Sequence, residues 1–536
     1  MRSYLFAAFA AAVVLAVACG GDDDSASPTD TNTPGGSLAP TPLPLRQNGI
    51  DLGARAADFT FTTQDPGDLQ AASTAIASGD FNGDGKTDIA VGATYGDGPA
   101  NDRAETGEVY VFYGASTLTG ETIMSPETAD LIVYGVEGEE FTGFQIVAGD
   151  VNADGADDLI LSAPGITAGA DLRTDQGRVY VFFGGPGLTG VIDLAAETDP
   201  VPYGFVLTGA EGFSRAGHTV AIGDINGDGT DDMVIGAPFA GRVPGSPPGG
   251  PRTGAGALYV VYGRPDLSGE VNIAFDSPDF WITNQEEFSQ FAISVAAGDL
   301  NGDGIDDIVA GAPQLDVAAG PDSGSVFVFY GGPSLAPIVA STDADVIILP
   351  GDEGDGLGEK VAIIPKQDGH GRVVATASRG DGPGNSRDSA GEAYIFENAG
   401  EPGVIDLASD APSAVIYGPD ASMALGQELA IGDLDDDGEA DIVVSAPTAT
   451  AREGKLSAAG MTLVVFAPLL TGEVGLSGAA GYAWLEGYEV DGQTGTGLTV
   501  ADFDGDGRAS LAIGEARSGA SGARPGRVRI LTLAAP

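Results

Sequence analysis

The chain has 536 residues, with 78 acidic and 23 basic side chains, a formal net charge of −55, two histidines and one cysteine. A balance this acidic repels phosphate backbones and excludes nucleic acid as a partner. One cysteine cannot form an internal disulfide, no Cys/His cluster is present to build a zinc site, and two histidines leave a hydrolase almost without general bases.

Read from its start, the chain shows Arg2, an apolar stretch from Leu5 to Val17, and Ala18-Cys19. That stretch is too short to span a bilayer and predicts a signal peptide over residues 1–18. Leu15-Ala16-Val17-Ala18-Cys19 resembles a bacterial lipobox. The resemblance implies a diacylglyceryl group on Cys19, and Gly20 in place of aspartate points to an outer-membrane or cell-surface destination. Residues 19–50 are rich in Gly, Asp, Ser, Thr and Pro and show no strand pattern, so they predict an extended tether. No second apolar span of membrane length follows, which leaves the lipid as the expected membrane attachment.

From residue 51 onward the chain repeats itself. Five nine-residue loops share the form Asp-x-Asn/Asp-x-Asp-Gly-x-x-Asp: 80–88, 150–158, 224–232, 299–307 and 433–441. A sixth starts at Asp502 and ends on Ser510 instead of a carboxylate. A hard cation takes six to eight oxygens, at roughly 2.3 to 2.6 Å, so a short loop must turn alternate residues toward one point. Positions 1, 3, 5 and 9 offer side-chain oxygens and position 7 a carbonyl. The expected calcium ligands are therefore Asp80, Asn82, Asp84, Lys86 and Asp88; Asp150, Asn152, Asp154, Ala156 and Asp158; Asp224, Asn226, Asp228, Thr230 and Asp232. The same reading continues with Asp299, Asn301, Asp303, Ile305 and Asp307; Asp433, Asp435, Asp437, Glu439 and Asp441; and, in the sixth loop, Asp502, Asp504 and Asp506. An EF-hand opens the same way but needs Glu at position 12 and flanking helices. Position 12 is Val91, Leu161, Ile235, Ala310 and Val444, inside short β-branched runs of strand length.

The loops start at steps of 70, 74, 75, 134 and 69 residues, the 134 spanning two units. Midway, VAIIPKQDGHGRVVATAS keeps only Asp368 and Gly369 of the loop. That gives seven units, one with a degenerate metal loop. Each unit reads as four strands, typified by QIVAGD, DLILSAP, GRVYVFFGG and ADLIVYG. Regularly spaced short strands in seven units predict an all-β, seven-bladed propeller. The last unit stops at its third strand, whereas Ala57 to Thr63 is an orphan of the fourth type. An N-terminal strand completing the last blade would remove two open edges.

The pattern resembles the FG-GAP repeats of integrin α-chain propellers over residues 51–536. Gly236-Ala237-Pro238 and Gly311-Ala312-Pro313 match the second half of that motif, with Ser162-Ala163-Pro164 and Ser445-Ala446-Pro447 close to it. At the Phe-Gly half stand Thr142-Gly143, Ala216-Gly217, Phe291-Ala292, Leu425-Gly426 and Thr494-Gly495. The resemblance implies structural calcium and a recognition face formed by the loops between strands 2 and 3 and between blades. Those loops are 95–107, 165–177, 239–256, 314–324, 379–391 and 448–460. The fifth of them opens Arg379-Gly380-Asp381, a tripeptide that integrins recognise.

Candidates for catalysis are sparse. His218 occupies a slot filled by Phe144, Ile293 and Gln427 in other units, and His370 lies in the degenerate loop. Among carboxylate pairs outside the calcium loops the candidates are Glu139-Glu140 and Glu286-Glu287, in loops before the first strand of a blade. The expectation is a non-enzymatic, calcium-stabilised surface module that binds a protein or glycan. The alternatives are a hydrolase or polysaccharide-active accessory protein akin to FG-GAP-containing phospholipase D-like proteins, and an envelope scaffold.

Overall fold

The computed structural model describes residues 43–44, 50–51, 57–63, 75–114, 120–136, 138–165, 176–196, 203–209, 213–241, 254–284, 286–336, 341–366, 370–451, 456–467, 472–474, 481–516 and 526–534. The signal peptide, Cys19, Asp368 and Gly369 lie outside them. Beyond the two short 3₁₀ turns, these residues form strands, arranged as seven antiparallel blades.

The second blade shows the pattern. Ile146–Gly149 enters the acidic loop, Asp158–Ala163 leaves it, and Arg178–Phe182 and Phe205–Thr208 follow outward, each antiparallel to its neighbour. The strand leaving each acidic loop lies in the middle of its sheet and is buried at every position, as in Asp88–Ala93, Asp158–Ala163 and Asp232–Ala237. Covered on both faces, such strands read as continuous apolar runs and not as alternating ones. Seven apolar clusters fill the seven spaces between neighbouring blades.

Ring closure occurs as the orphan strand predicts. Phe59–Thr63 is the fourth strand of the last blade, antiparallel to Arg527–Leu531 with Phe59 opposite Ile530 and Phe61 opposite Val528. Phe61 is fully buried between the last blade and the first, against Phe112 at 5.0 Å. Phe61→Ala should therefore cost about 3–5 kcal/mol, which denaturant unfolding would read as a lower midpoint at unchanged slope.

Four strands per unit is an undercount. In six blades the fourth strand pairs on its outer side with a short parallel strand. In five of these pairings the strand comes from the connection between strands 3 and 4 of the following blade. Gly190–Asp193 of the second blade, for example, pairs with Leu131–Tyr134 of the first. Gly269–Asn272, Gly403–Asp406, Gly472–Val474 and Gly120–Met124 make the same step back. For the sixth blade Ile50–Asp51 takes this place against Leu485–Glu486. Further upstream Leu43–Pro44 pairs with Leu533–Ala534, so strand pairing begins before the boundary expected at residue 51. Each strap covers main-chain groups that an open edge would present to other chains.

Candidate metal centres

All six acidic loops adopt one conformation. The position-1 carboxylate accepts the N–H of the position-6 glycine at 2.8–2.9 Å, from Asp80 and Gly85 through Asp502 and Gly507. The position-5 carboxylate accepts the N–H two residues on, at 2.9–3.0 Å. The glycine is needed for its backbone and not for space. Gly85 has φ 78°, and a Cβ there would meet nothing within 4 Å.

Two features that sequence reading missed fix each loop in place. Position 2 is apolar and buried in every loop: Phe81, Val151, Ile225, Leu300, Leu434 and Phe503. Each plugs the apolar space toward the next blade. The position-9 aspartates, expected only as ligands, are fully buried and tie two segments together. Asp158 accepts Val151 N–H at 3.0 Å within the loop and Gly184 N–H at 2.9 Å beyond the third strand. Asp88, Asp232, Asp307 and Asp441 do the same, using Gly114, Gly263, Gly331 and Ala467 as the distant donors. In the sixth loop Ser510 instead meets the Thr532 hydroxyl at 2.9 Å.

The electrostatics call for a cation. Burial, helped by the neighbouring carboxylates and opposed by the backbone donors, pushes Asp88 and Asp307 up to about 6 and Asp158, Asp232 and Asp441 up to about 7. Asp433, Asp435 and Asp441 bring ligand atoms within 4.8 Å of one another, as do Asp502, Asp504 and Asp506. Oδ1 of Asp435 is buried without a hydrogen-bond partner. Hard oxygen donors, several of them carboxylates, fit calcium, and the sixth loop retains the cluster despite Ser510.

The other candidates resolve differently. The Glu140 carboxylate is fully buried and accepts Tyr180 O–H at 2.9 Å as well as Val136 N–H, so it holds the loop between the first two blades. Glu286 and Glu287 are exposed. The His218 ring packs against Phe144 at 5.4 Å and Phe239 at 6.4 Å, and burial, with Lys360 and Arg215 nearby, pushes it down to about 3. Of the two roles open to this variable slot, packing or surface, these ring contacts give His218 the first. His370 is exposed.

Arg379-Gly380-Asp381 is part of the scaffold. Arg379 donates to the carbonyls of Pro313 and Asp322 at 3.2 and 3.3 Å, and Asp381 accepts Ser389 N–H at 2.8 Å. The first blade builds the same loop from Gly96-Asp97-Gly98-Pro99, where Asp97 accepts Glu105 N–H at 2.9 Å. Arg103 and Arg387 then reach equivalent carbonyls, Gly135 and Gly418, at 2.7 Å each.

These loops between strands 2 and 3 interlock with the loops between blades, as in Thr142 N–H to the Thr106 carbonyl at 3.0 Å. Both lie on the face opposite the acidic loops. In that layer Phe213 and Phe288 are 64% and 58% exposed and hold φ of 66° and 64°. The matching residues Glu139, Ser422 and Asp491 hold φ of 61°, 59° and 57°, so the left-handed backbone belongs to this turn in every one of these blades and the phenylalanines are what two of them display.

A family model described as FG-GAP repeat matches residues 72–112, 142–182, 216–261, 291–329 and 425–460. The human phosphatidylinositol-glycan-specific phospholipase D is 31% identical over 228 residues, 42% of this chain and 24% of that protein. Integrin alpha-5 of Xenopus laevis is 29% identical over 249 residues, 45% of this chain and 20% of its own length. Integrin alpha pat-2 of Caenorhabditis briggsae is 30% identical over 268 residues, 46% of this chain and 18% of its own length. The chain thus spans about a quarter or less of the length of these relatives.

Proposed function

From the premise that this chain is an FG-GAP, integrin α-like β-propeller, we propose that it is a calcium-stabilised binding module and not an enzyme. FG-GAP propellers of the integrin kind generally bind calcium. Here the five full loops and the Asp502 loop would hold the ions, which neutralise carboxylates crowded between two strands and act structurally. Recognition of an extracellular protein or glycan falls to the opposite face. The observation that carries this reading is the pair of exposed phenylalanines, Phe213 and Phe288, displayed in left-handed backbone on an interlocked loop layer. Export and lipid attachment at Cys19 belong to the same proposal, and no helix among the described residues is long and apolar enough to cross a membrane.

An enzymatic reading has one structural observation in its favour besides the likeness to a phospholipase D. On the recognition side, burial and the nearby Glu392 push Asp355 up to about 7, and burial raises Glu392 itself. One experiment separates the two. The calcium-loaded chain is applied to immobilised glycans and proteins and, in parallel, assayed for hydrolysis of glycans and phosphodiesters. Saturable binding that Phe213→Ser and Phe288→Ser weaken, without turnover, supports the module; turnover abolished by Glu392→Gln overturns it.

A further inference from the structure

The eighth position of the acidic loops is occupied by Thr87, Asp157, Asp231, Asp306, Ala440 and Ala509. The three aspartates do not turn into their own loop. Asp157 accepts Asp80 N–H at 2.7 Å, Asp231 accepts Asp150 N–H at 3.1 Å, and Asp306 accepts Asp224 N–H at 3.0 Å. Each bond runs to the first residue of the acidic loop in the preceding blade. Two are answered in reverse: Asp157 N–H donates to the Asp80 carbonyl at 3.2 Å, and Asp306 N–H to the Asp224 carbonyl at 3.0 Å.

Glycine precedes all five full loops, and before these three it leaves room for the incoming carboxylate. A Cβ on Gly79, Gly149 or Gly223 would lie 2.9, 3.0 or 2.6 Å from the incoming carboxylate of Asp157, Asp231 or Asp306. At Gly432 the corresponding neighbour is Val500, a side chain with nothing to donate or accept.

Position 8 sits between a carbonyl and a carboxylate of its own ion set, at positions 7 and 9. Filling that set fixes residues 7 and 9 and with them the aspartate between. The aspartate in turn holds the position-1 residue, whose side chain is a ligand of the neighbouring set. We infer that Asp157, Asp231 and Asp306 are positioning residues linking consecutive calcium loops, so that the first four blades fill as one cooperative block, while the Asp433 and Asp502 loops, bridged by the exposed Arg508–Asp436 ion pair at 3.4 Å, which is worth little, and by no position-8 carboxylate, fill singly. This rests on the calcium reading above. Coupling is reciprocal, because two sites that share one element bias it equally, and hydrogen bonds to a charged acceptor are strong enough for a step of about tenfold in affinity.

The test counts ions bound to the full chain by equilibrium dialysis against calcium near half-saturation. Asp154→Ala removes a ligand of the second loop and should lower the count by clearly more than the roughly half ion that one independent, half-filled site holds; Asp437→Ala, in the sixth blade, should lower it by about that half ion. Introducing Asp157→Ala and Asp231→Ala should reduce the Asp154→Ala deficit to its own site's share relative to that background, and Asp157→Asn with Asp231→Asn, which keep an acceptor oxygen, should restore part of the coupling. Equal deficits at Asp154 and Asp437, each no more than one site's share, would overturn the coupling and leave the calcium sites standing. A wild-type chain that binds no calcium would overturn both.

Discussion

Chelation lowers the melting temperature of the folded chain by roughly 5–10 °C, and millimolar calcium restores it with five to six ions bound. The size follows from mass action. Sites of roughly 10⁻⁴ to 10⁻³ M affinity each contribute about 1–2 kcal/mol at a few millimolar calcium, and five such sites sum to several kcal/mol. The unliganded loops explain why the loss is not smaller. Each fully buried position-9 aspartate lies beside other carboxylates, and the cation near them in the first loop, Lys86, reaches only the exposed Asp84 at 2.9 Å. Calorimetry with metal analysis checks the prediction; an unchanged melting temperature would reduce the loops to acidic turns.

The pH dependence of stability reverses sign with calcium. In chelator, Asp88, Asp158, Asp232, Asp307 and Asp441 titrate near 6 to 7 in the folded chain and near 3.9, roughly, once unfolded. Between those values the folded state holds more protons than the unfolded one. Stability is therefore gained as pH falls through 7 toward 4 and lost as pH rises. With calcium bound the same carboxylates must be ionised, protons compete with the ion, and stability rises with pH over that window. Melting temperatures at pH 5 and pH 8, with calcium and with chelator, give the two slopes; parallel slopes would contradict the assignment of position 9 to the metal sites.

The acidic loops were legible because their ligand spacing is local and copied six times, and ring closure because an unmatched fourth-strand pattern stood at the opposite end from an unfinished blade. The straps were not. Gly190–Asp193 and Gly269–Asn272 are four residues long with exposed and half-exposed side chains, so they carry almost no hydrophobic alternation. Their signal lay in repetition, as Leu188-Thr189-Gly190, Leu267-Ser268-Gly269 and Leu470-Thr471-Gly472 show. The dual role of the position-9 aspartates depends on an amide some two dozen residues away in sequence, which no local pattern reveals. Asp157, Asp231 and Asp306 look like surplus acid until the neighbouring blade is in place. Arg379-Gly380-Asp381 was the converse case, a familiar tripeptide whose structural use becomes visible once its loop is set beside the one at Gly96.

The straps also set a direction in time. Because the outer edges of the first, second, fourth and fifth blades are finished by residues made later, a chain emerging from the ribosome carries a blade with an uncovered edge through much of its synthesis, and that edge moves forward. The last two blades reverse the order: Ile50–Asp51 and Phe59–Thr63 are made early and find Leu485–Glu486 and Arg527–Leu531 only when nearly the whole chain exists. Closure is thus a contact of very long sequence separation, slow by its loop entropy, and the interval before it is when nascent chains are most exposed to one another.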